Sequence, residues 1–340
     1  MSTQLSFCIP TFNRAFLLGY TIESIINQAN DEVEIVISDN ASEDNTEEIV
    51  KSYQKIFSKI TYFRQERNLG FDKNLLNAVK LAQGEYCWLM GSDDVIRPGA
   101  INRMLKELKE GFDIYLCNRT WCSFELVPIV DNFWLSKRIP DRCFNLSNKN
   151  ELNCYLNSSM SLGALFGFMS SDVFKREKWN NVNFNESFLG TAYSHVYMLL
   201  SFIKKGSCRL KYIKESLVFC RGFNDSFGGH GQVKRFELDI DGHSLLAEEF
   251  FSEDVNLQNM FLKVITRMYP WQFVATVRTN CENINKWLML EKKLKSVGYP
   301  GYMLFIYRYT KLVILMARFI KAKFKRIYYP LLFSYKEQAK

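Results

Sequence analysis

The apolar positions of this chain switch between two periods over its first 120 residues. Short apolar runs at 5–9, 33–37, 60–63, 86–90 and 113–117 read as strands, the first stopped by Pro10. Between them, residues 15–28, 44–57, 71–82 and 98–109 carry apolar side chains at helical spacing. Asp44 or Asn45 is the expected N-cap of the second helix, with Glu47 and Glu48 in its first turn. Strands alternating with such helices predict βαβ units, hence an α/β fold with a mainly parallel sheet. In that architecture the polar residues just past the strand C-termini line the ligand crevice. The rule points at 10–14, 38–42 and 91–94. From 120 to 235 the pattern is less regular, 245–295 reads as helical, and 301–333 is a basic, aromatic-rich helix candidate.

Composition adds exclusions. At 340 residues, 47% apolar and 24% charged, the chain is long enough for a large core in one or two domains, and widespread disorder is not expected. The nine cysteines are scattered and contain no C-x-x-C pair, which argues against a zinc site or a disulfide framework and for a reducing cytosol. Met1-Ser2-Thr3-Gln4 runs straight into the first strand, so no secretory leader is expected. The net charge of +8 belongs to residues 301–340, where nine basic residues face the single acid Glu337. Nucleic acid is therefore not an expected partner of the core, whereas an anionic surface is an expected partner of the tail.

Four strand-end segments hold the candidate chemistry. Gly91-Ser92-Asp93-Asp94 places two adjacent carboxylates where no base follows until Arg97. They repel unless a hard cation such as Mg²⁺ or Mn²⁺ joins them, or the segment is simply an Asx-turn leading into the next helix. In Pro10-Thr11-Phe12-Asn13-Arg14, Thr11 and Asn13 suit a base or ribose and Arg14 a phosphate; a solvated turn is the alternative. Asp39 in Asp39-Asn40-Ala41-Ser42 suits the N–H donors of a base or belongs to a helix N-cap. Asn68-Leu69-Gly70-Phe71-Asp72 ends the third strand, with Gly70 fit for a sharp turn. No G-x-G-x-x-G follows the first strand, which disfavours a dinucleotide oxidoreductase.

Taken as an ordered set, I-P-T-F-N-R, I-S-D-N-A-S, N-L-G and the Asp pair resemble the family 2 (GT-A fold) glycosyltransferases, with good specificity over residues 4–120 and more loosely to 230. Cys220-Arg221-Gly222 and Asn224-Asp225-Ser226-Phe227 are similar to the abequosyltransferase subgroup of bacterial O-antigen synthesis, which uses CDP-activated 3,6-dideoxyhexoses. The resemblance implies a GT-A catalytic domain over 1–235, its nucleotide-binding half at 1–120 and acceptor half at 121–235. A helical extension over 236–300 and a basic tail over 301–340 follow. It implies Pro10, Thr11, Asn13, Arg14, Asp39, Asn68, Asp72, Asp93 and Arg221 as donor contacts, and Asp93 and Asp94 as ligands of Mg²⁺ or Mn²⁺. Family members usually carry a further Asp where Gly91 stands here.

The family also places a Glu-Asp pair at the start of an acceptor-side helix, its Asp serving as base. Ser194-His195 occupies that place here. An imidazole is a competent base at neutral pH, so His195 is the candidate, with Glu186 and Asp225 in reserve; a hydrogen-bonded helix-start histidine is the alternative. Gly222 and Gly228-Gly229 suggest a loop closing over phosphates, and the apolar stretch 162–168 suits a deoxygenated sugar or a core strand. The expected partners are a nucleotide sugar, a lipid-linked oligosaccharide acceptor and an anionic membrane surface. The expected location is the cytoplasmic face of the inner membrane, held peripherally. A nucleotide-binding scaffold without turnover, or a transferase using another UDP-, GDP- or dTDP-sugar, are the alternatives.

Overall fold

The computed structural model describes residues 3–224, 231–281 and 283–309. The first half runs β1 (Leu5–Thr11), α1 (Ala15–Ile26), β2 (Val33–Asp39), α2 (Thr46–Gln54), β3 (Ile60–Arg64), α3 (Phe71–Lys80), β4 (Tyr86–Leu89), β5 (Val95–Ile96) and α4 (Ala100–Leu108). Then come β6 (Ile114–Cys122), β7 (Pro128–Asn132), β8 (Arg142–Asn145), α5 (Lys149–Ser158), β9 (Asp172–Lys175), α6 (Arg176–Asn180), α7 (Ser194–Lys204) and β10 (Arg209–Arg221). Helices α8 (Gln232–Phe251), α9 (Val255–Met268), α10 (Trp271–Asn280), α11 (Ile284–Ser296) and α12 (Gly301–Tyr309) complete the described chain.

The sheet has the order β3-β2-β1-β4-β9-β6-β10-β5, with β7 on β6 and β8 on β10. Its β3-β2-β1-β4 half is parallel throughout, and antiparallel pairing enters where β9 inserts between β4 and β6. β1, β2 and β4 are buried along their whole length, which is why they read as continuous apolar runs rather than alternating ones. Helices cover both faces, giving two apolar clusters. One packs α1 and α4 on the sheet; the other joins α3, α7 and the extension.

Several expectations shift. β1 does not stop at Pro10 but continues to Thr11, because Pro10 pairs with Ser38 in a parallel ladder where its missing N–H is tolerated. The stretch 162–168 is not a core strand: Leu162–Leu165 is a 3-10 turn closed by Phe166 at φ 63°. The helical region begins at Gln232, inside the expected catalytic domain, and is broken by Asp254, Pro270 and Asn283 at helix starts. α12 packs on the extension: Leu304 and Tyr307 are buried, and Arg308 pairs with Glu291 at 2.8 Å. The rest of the basic tail lies outside the described residues, and no described helix is long and apolar enough to cross a membrane.

Candidate active site

Parallel register brings the strand ends to one edge. Thr11 lies beside Asp39, Asp39 beside Arg64, and Cys8 beside Leu89 just before Gly91. The loops they open line one cavity of about 1130 Å³, whose far wall comes from the 162–169 turns, the start of α7, and helices α8 to α10.

On one wall, Arg14 Nη1 donates to Asp93 Oδ2 at 3.0 Å and Asn224 Nδ2 donates to the same oxygen at 2.7 Å. Asp94 is buried; its Oδ2 accepts from Ser170 Oγ at 2.5 Å and its Oδ1 from the Arg221 N–H at 3.3 Å. Burial, then the Asp93 charge, pushes the Asp94 carboxyl up to about 7. Burial also raises Asp93, against the pull of Arg14, Arg221 and Asn224. Gly91 donates to Ser170 Oγ at 2.9 Å, and a Cβ there would lie 3.0 Å from Asp93 Oδ1 and Asp94 Oδ2. A third acid at this position would therefore press on both carboxylates.

On the opposite wall, His195 is buried at the first turn of α7, and neither ring nitrogen makes a well-formed hydrogen bond. Desolvation pushes its pKa down to about 4, opposed by the Asp72 charge and the Phe166 backbone. The imidazole is thus neutral at pH 7, with a lone pair free but weakly basic.

Residues 6–166 match the family "Glycosyl transferase family 2". The chain is 38% identical over 276 residues to abequosyltransferase RfbV of Salmonella typhimurium, covering 80% of this chain and 82% of that one. The chain belongs to glycosyl transferase family 2. It is also 32% identical over 203 residues, 58% of this chain and 61% of the other, to the GalNAc(5)-diNAcBac-PP-undecaprenol beta-1,3-glucosyltransferase of Campylobacter jejuni. Two solved structures share the fold at 14% identity. S. aureus TarS 1–349 in complex with UDP-GlcNAc has a TM-score of 0.62, covering 92% of this chain and 89% of that one. Mannosyltransferase PcManGT from Pyrobaculum calidifontis, with GDP-Man and Mn²⁺, has a TM-score of 0.51 over 92% and 87%. The protein is therefore an enzyme that transfers a sugar from a nucleotide-sugar donor on a GT-A-like fold.

In this family 2 glycosyltransferase, Pro10, Thr11, Arg14, Asn68, Asp93, Asp94, His195 and Arg221 all line the cavity. Thr11 Oγ1 is buried without a partner, and Asn68 Oδ1 accepts from Asn40 Nδ2 at 2.8 Å. Asn13, Asp39, Asp72 and Glu186 do not reach that wall. Asn13, at φ 51°, accepts from the Glu43 N–H. Asp39 is fully buried and accepts from Tyr62 Oη at 2.7 Å and the Ser42 N–H at 2.9 Å, leaving Asn40 to face the cavity. Asp72 borders a separate, smaller cavity and binds the start of α7. Glu186 is exposed in a 3-10 turn. Asp225 and Gly228-Gly229 lie outside the described residues. Gly222 is no hinge: a Cβ there would sit 2.4 Å from the Cys122 carbonyl, so glycine is required by close packing.

No group of three or more His, Cys, Asp or Glu side chains suited to a metal occurs among the described residues. Two crowded carboxylates, one raised by burial and then by its neighbour's charge, nonetheless fit a hard cation that takes its other ligands from phosphate and water. Sequence reasoning missed Arg119, Ser170, Tyr193 and Asp239 on or behind this wall. A charge on β6 just past its apolar run 114–117 is the one signal that points to Arg119; Ser170 and Tyr193 offer none, since only the chain's path brings them here.

Proposed function

We propose that the enzyme moves a sugar, of the 3,6-dideoxyhexose class activated as a CDP-sugar, onto a lipid-linked oligosaccharide at the cytoplasmic face of the inner membrane. The observation that carries the reading is the single cavity with Arg14, Asp93, Asp94 and Arg221 on one wall and the buried His195 on another. Similarity to an abequosyltransferase supports the donor class, and similarity to a transferase whose name includes a PP-undecaprenol acceptor supports the lipid link. The wall formed by Trp134, Leu162, Gly163, Gly167 and Phe168 offers apolar surface to a sugar lacking hydroxyls.

In this reading Thr11, Asn40 and Asn68 receive the nucleoside, and Arg14 and Arg221 its phosphates. Asp93 and Asp94 would hold Mg²⁺ or Mn²⁺, which supplies positive charge to the departing nucleoside diphosphate. An acceptor hydroxyl attacks the anomeric carbon, the bond to the diphosphate oxygen breaks, and His195 takes the hydroxyl proton on a ring nitrogen. The basic residues that follow Tyr309 in the sequence, together with the exposed Tyr302, Phe305 and Ile306 of α12, hold the enzyme on anionic lipid.

The test is a panel of CDP-, UDP-, GDP- and dTDP-sugars with Mn²⁺ or Mg²⁺ and a lipid-linked acceptor, scored by released nucleoside diphosphate. Preferred turnover of a CDP-dideoxyhexose supports the reading; turnover confined to a fully hydroxylated UDP- or GDP-sugar refutes the donor assignment.

A further inference from the structure

Arg119 sits in β6, two residues before Trp121, so both side chains leave the same face of the strand. Its guanidinium carbon lies 4.3 Å from the Phe168 ring centre, 5.1 Å from Trp134 and 5.5 Å from Trp121. Three aromatic faces thus hold a planar cation at the cavity wall. Its Nη1 donates to Cys220 Sγ at 3.2 Å, but burial raises that thiol far above neutrality, so sulfur brings no negative charge. Arg119 Nε is buried without an acceptor, and no carboxylate among the described residues forms an ion pair with Arg119. Its charge is nonetheless felt by Asp94, whose carboxyl it draws downward.

Arg221 repeats the pattern. Its Nε donates to the Asp93 carbonyl at 3.1 Å, the guanidinium packs on Tyr20 and Phe124, and Nη2 is buried without a partner. The half-buried Arg119 and the buried Arg221 therefore each keep one buried N–H donor unfilled near the Asp pair, while Arg14 is already engaged by Asp93. A buried N–H donor without an acceptor is costly, and a bound anion with several acceptor oxygens removes that cost. A diphosphate has the charge and oxygens to meet both guanidinium groups.

We propose that Arg119 is a direct contact of the donor diphosphate, sharing with Arg221 the negative charge that develops on the leaving nucleoside diphosphate. The inference rests on the donor site proposed above and adds a residue that the loop motifs do not contain. Bond breaking shifts an electron pair onto the bridging phosphate oxygen, and guanidinium groups already in place stabilise it without reorganising.

The experiment is calorimetric titration of the full chain with CDP, UDP and the matching nucleosides, in EDTA and in Mn²⁺, for wild type, Arg119→Met and Arg119→Lys. Arg119→Met is expected to weaken the preferred nucleoside diphosphate by roughly 10- to 100-fold, leave nucleoside affinity within about twofold, and lower kcat for transfer. Arg119→Lys, which keeps charge but not the planar stack, should recover part of the loss and covers the case in which the Met variant fails to fold. Unchanged diphosphate affinity, or an equal loss for the nucleoside, overturns the proposal. A wild-type protein that binds none of these nucleotides overturns the donor-site reading itself, a result distinct from binding that ignores Arg119.

Discussion

The carboxylate of Asp72 accepts the backbone N–H of Gly190 at 2.7 Å. The same group accepts from Ala192 at 3.2 Å and Ser194 at 3.3 Å. A side chain from α3, at the edge of the donor half, thereby caps the turn that presents His195. Positive φ at Gly190 and Ala192 lets consecutive N–H groups converge on it. Asp72 thus ties the third strand-end loop to the acceptor wall.

Asp72→Ala should leave these N–H groups without their carboxylate and lower stability by about 2–3 kcal/mol. It should reduce kcat more than donor affinity, since Asp72 does not line the cavity that holds Arg14 and the Asp pair. Chemical denaturation with parallel kinetics checks both; an unchanged kcat would separate Asp72 from the placement of His195.

His195→Ala should lower kcat on the order of 100-fold or more while donor Kd stays within about twofold. Single-turnover transfer with pre-bound donor measures this directly. An unaltered rate would remove His195 from the role of base.

Asp93→Ala removes the acceptor shared by Arg14 and Asn224 and one of two candidate metal ligands. Transfer should fall on the order of 100-fold or more. Wild-type activity should vanish in excess EDTA and return with Mn²⁺. Full turnover in EDTA would remove the metal from the reading and leave the leaving group to the arginines.

His243 is buried in α8, and its Nδ1 lies 2.9 Å from the Asp239 carbonyl; burial pushes its pKa down to about 4. The folded imidazole stays neutral while the unfolded one takes a proton near its ordinary 6.5. Its contribution is therefore present above 6.5 and is lost as pH falls from 6.5 to 4. Relative to His243→Gln, wild type should lose about 3 kcal/mol over that interval. Denaturant midpoints of both proteins across pH 4–7 provide the comparison, and parallel curves would contradict it.

Truncation after Tyr309 should preserve the fold, because Arg308 keeps Glu291 and Arg278 Nε keeps the Tyr307 carbonyl at 3.2 Å. The same truncation should abolish sedimentation with anionic vesicles at physiological salt. Binding that survives would place the membrane contact elsewhere. Truncation at 300 should instead destabilise the extension by uncovering the packing under Leu304 and Tyr307.

The parallel half was legible because β1, β2 and β4 are buried on both faces and their helices carry one apolar stripe each, so periodicity alone marks them. Chain direction alone then places 10–14, 38–42 and 91–94 at one edge. The short strands β5, β7 and β8 were not legible, since two to five residues carry too little pattern. Nor was the 3-10 turn at Leu162–Leu165, whose apolar run suits a strand equally well.

By itself the sequence determined the strand-end loops, the Asp93-Asp94 pair and the family, because these are local strings whose chemistry follows from adjacency. Only the tertiary structure decided which side chains face the ligand. Asp39 turned inward to Ser42 and Tyr62, Asp72 became a cap for α7, and Arg119 from β6 and Ser170 from the 3-10 turn before β9 arrived beside the Asp pair from positions distant in sequence. Side-chain direction and desolvation depend on which segments pack together, and no local pattern encodes the insertion of β9 between β4 and β6 that assembles this wall.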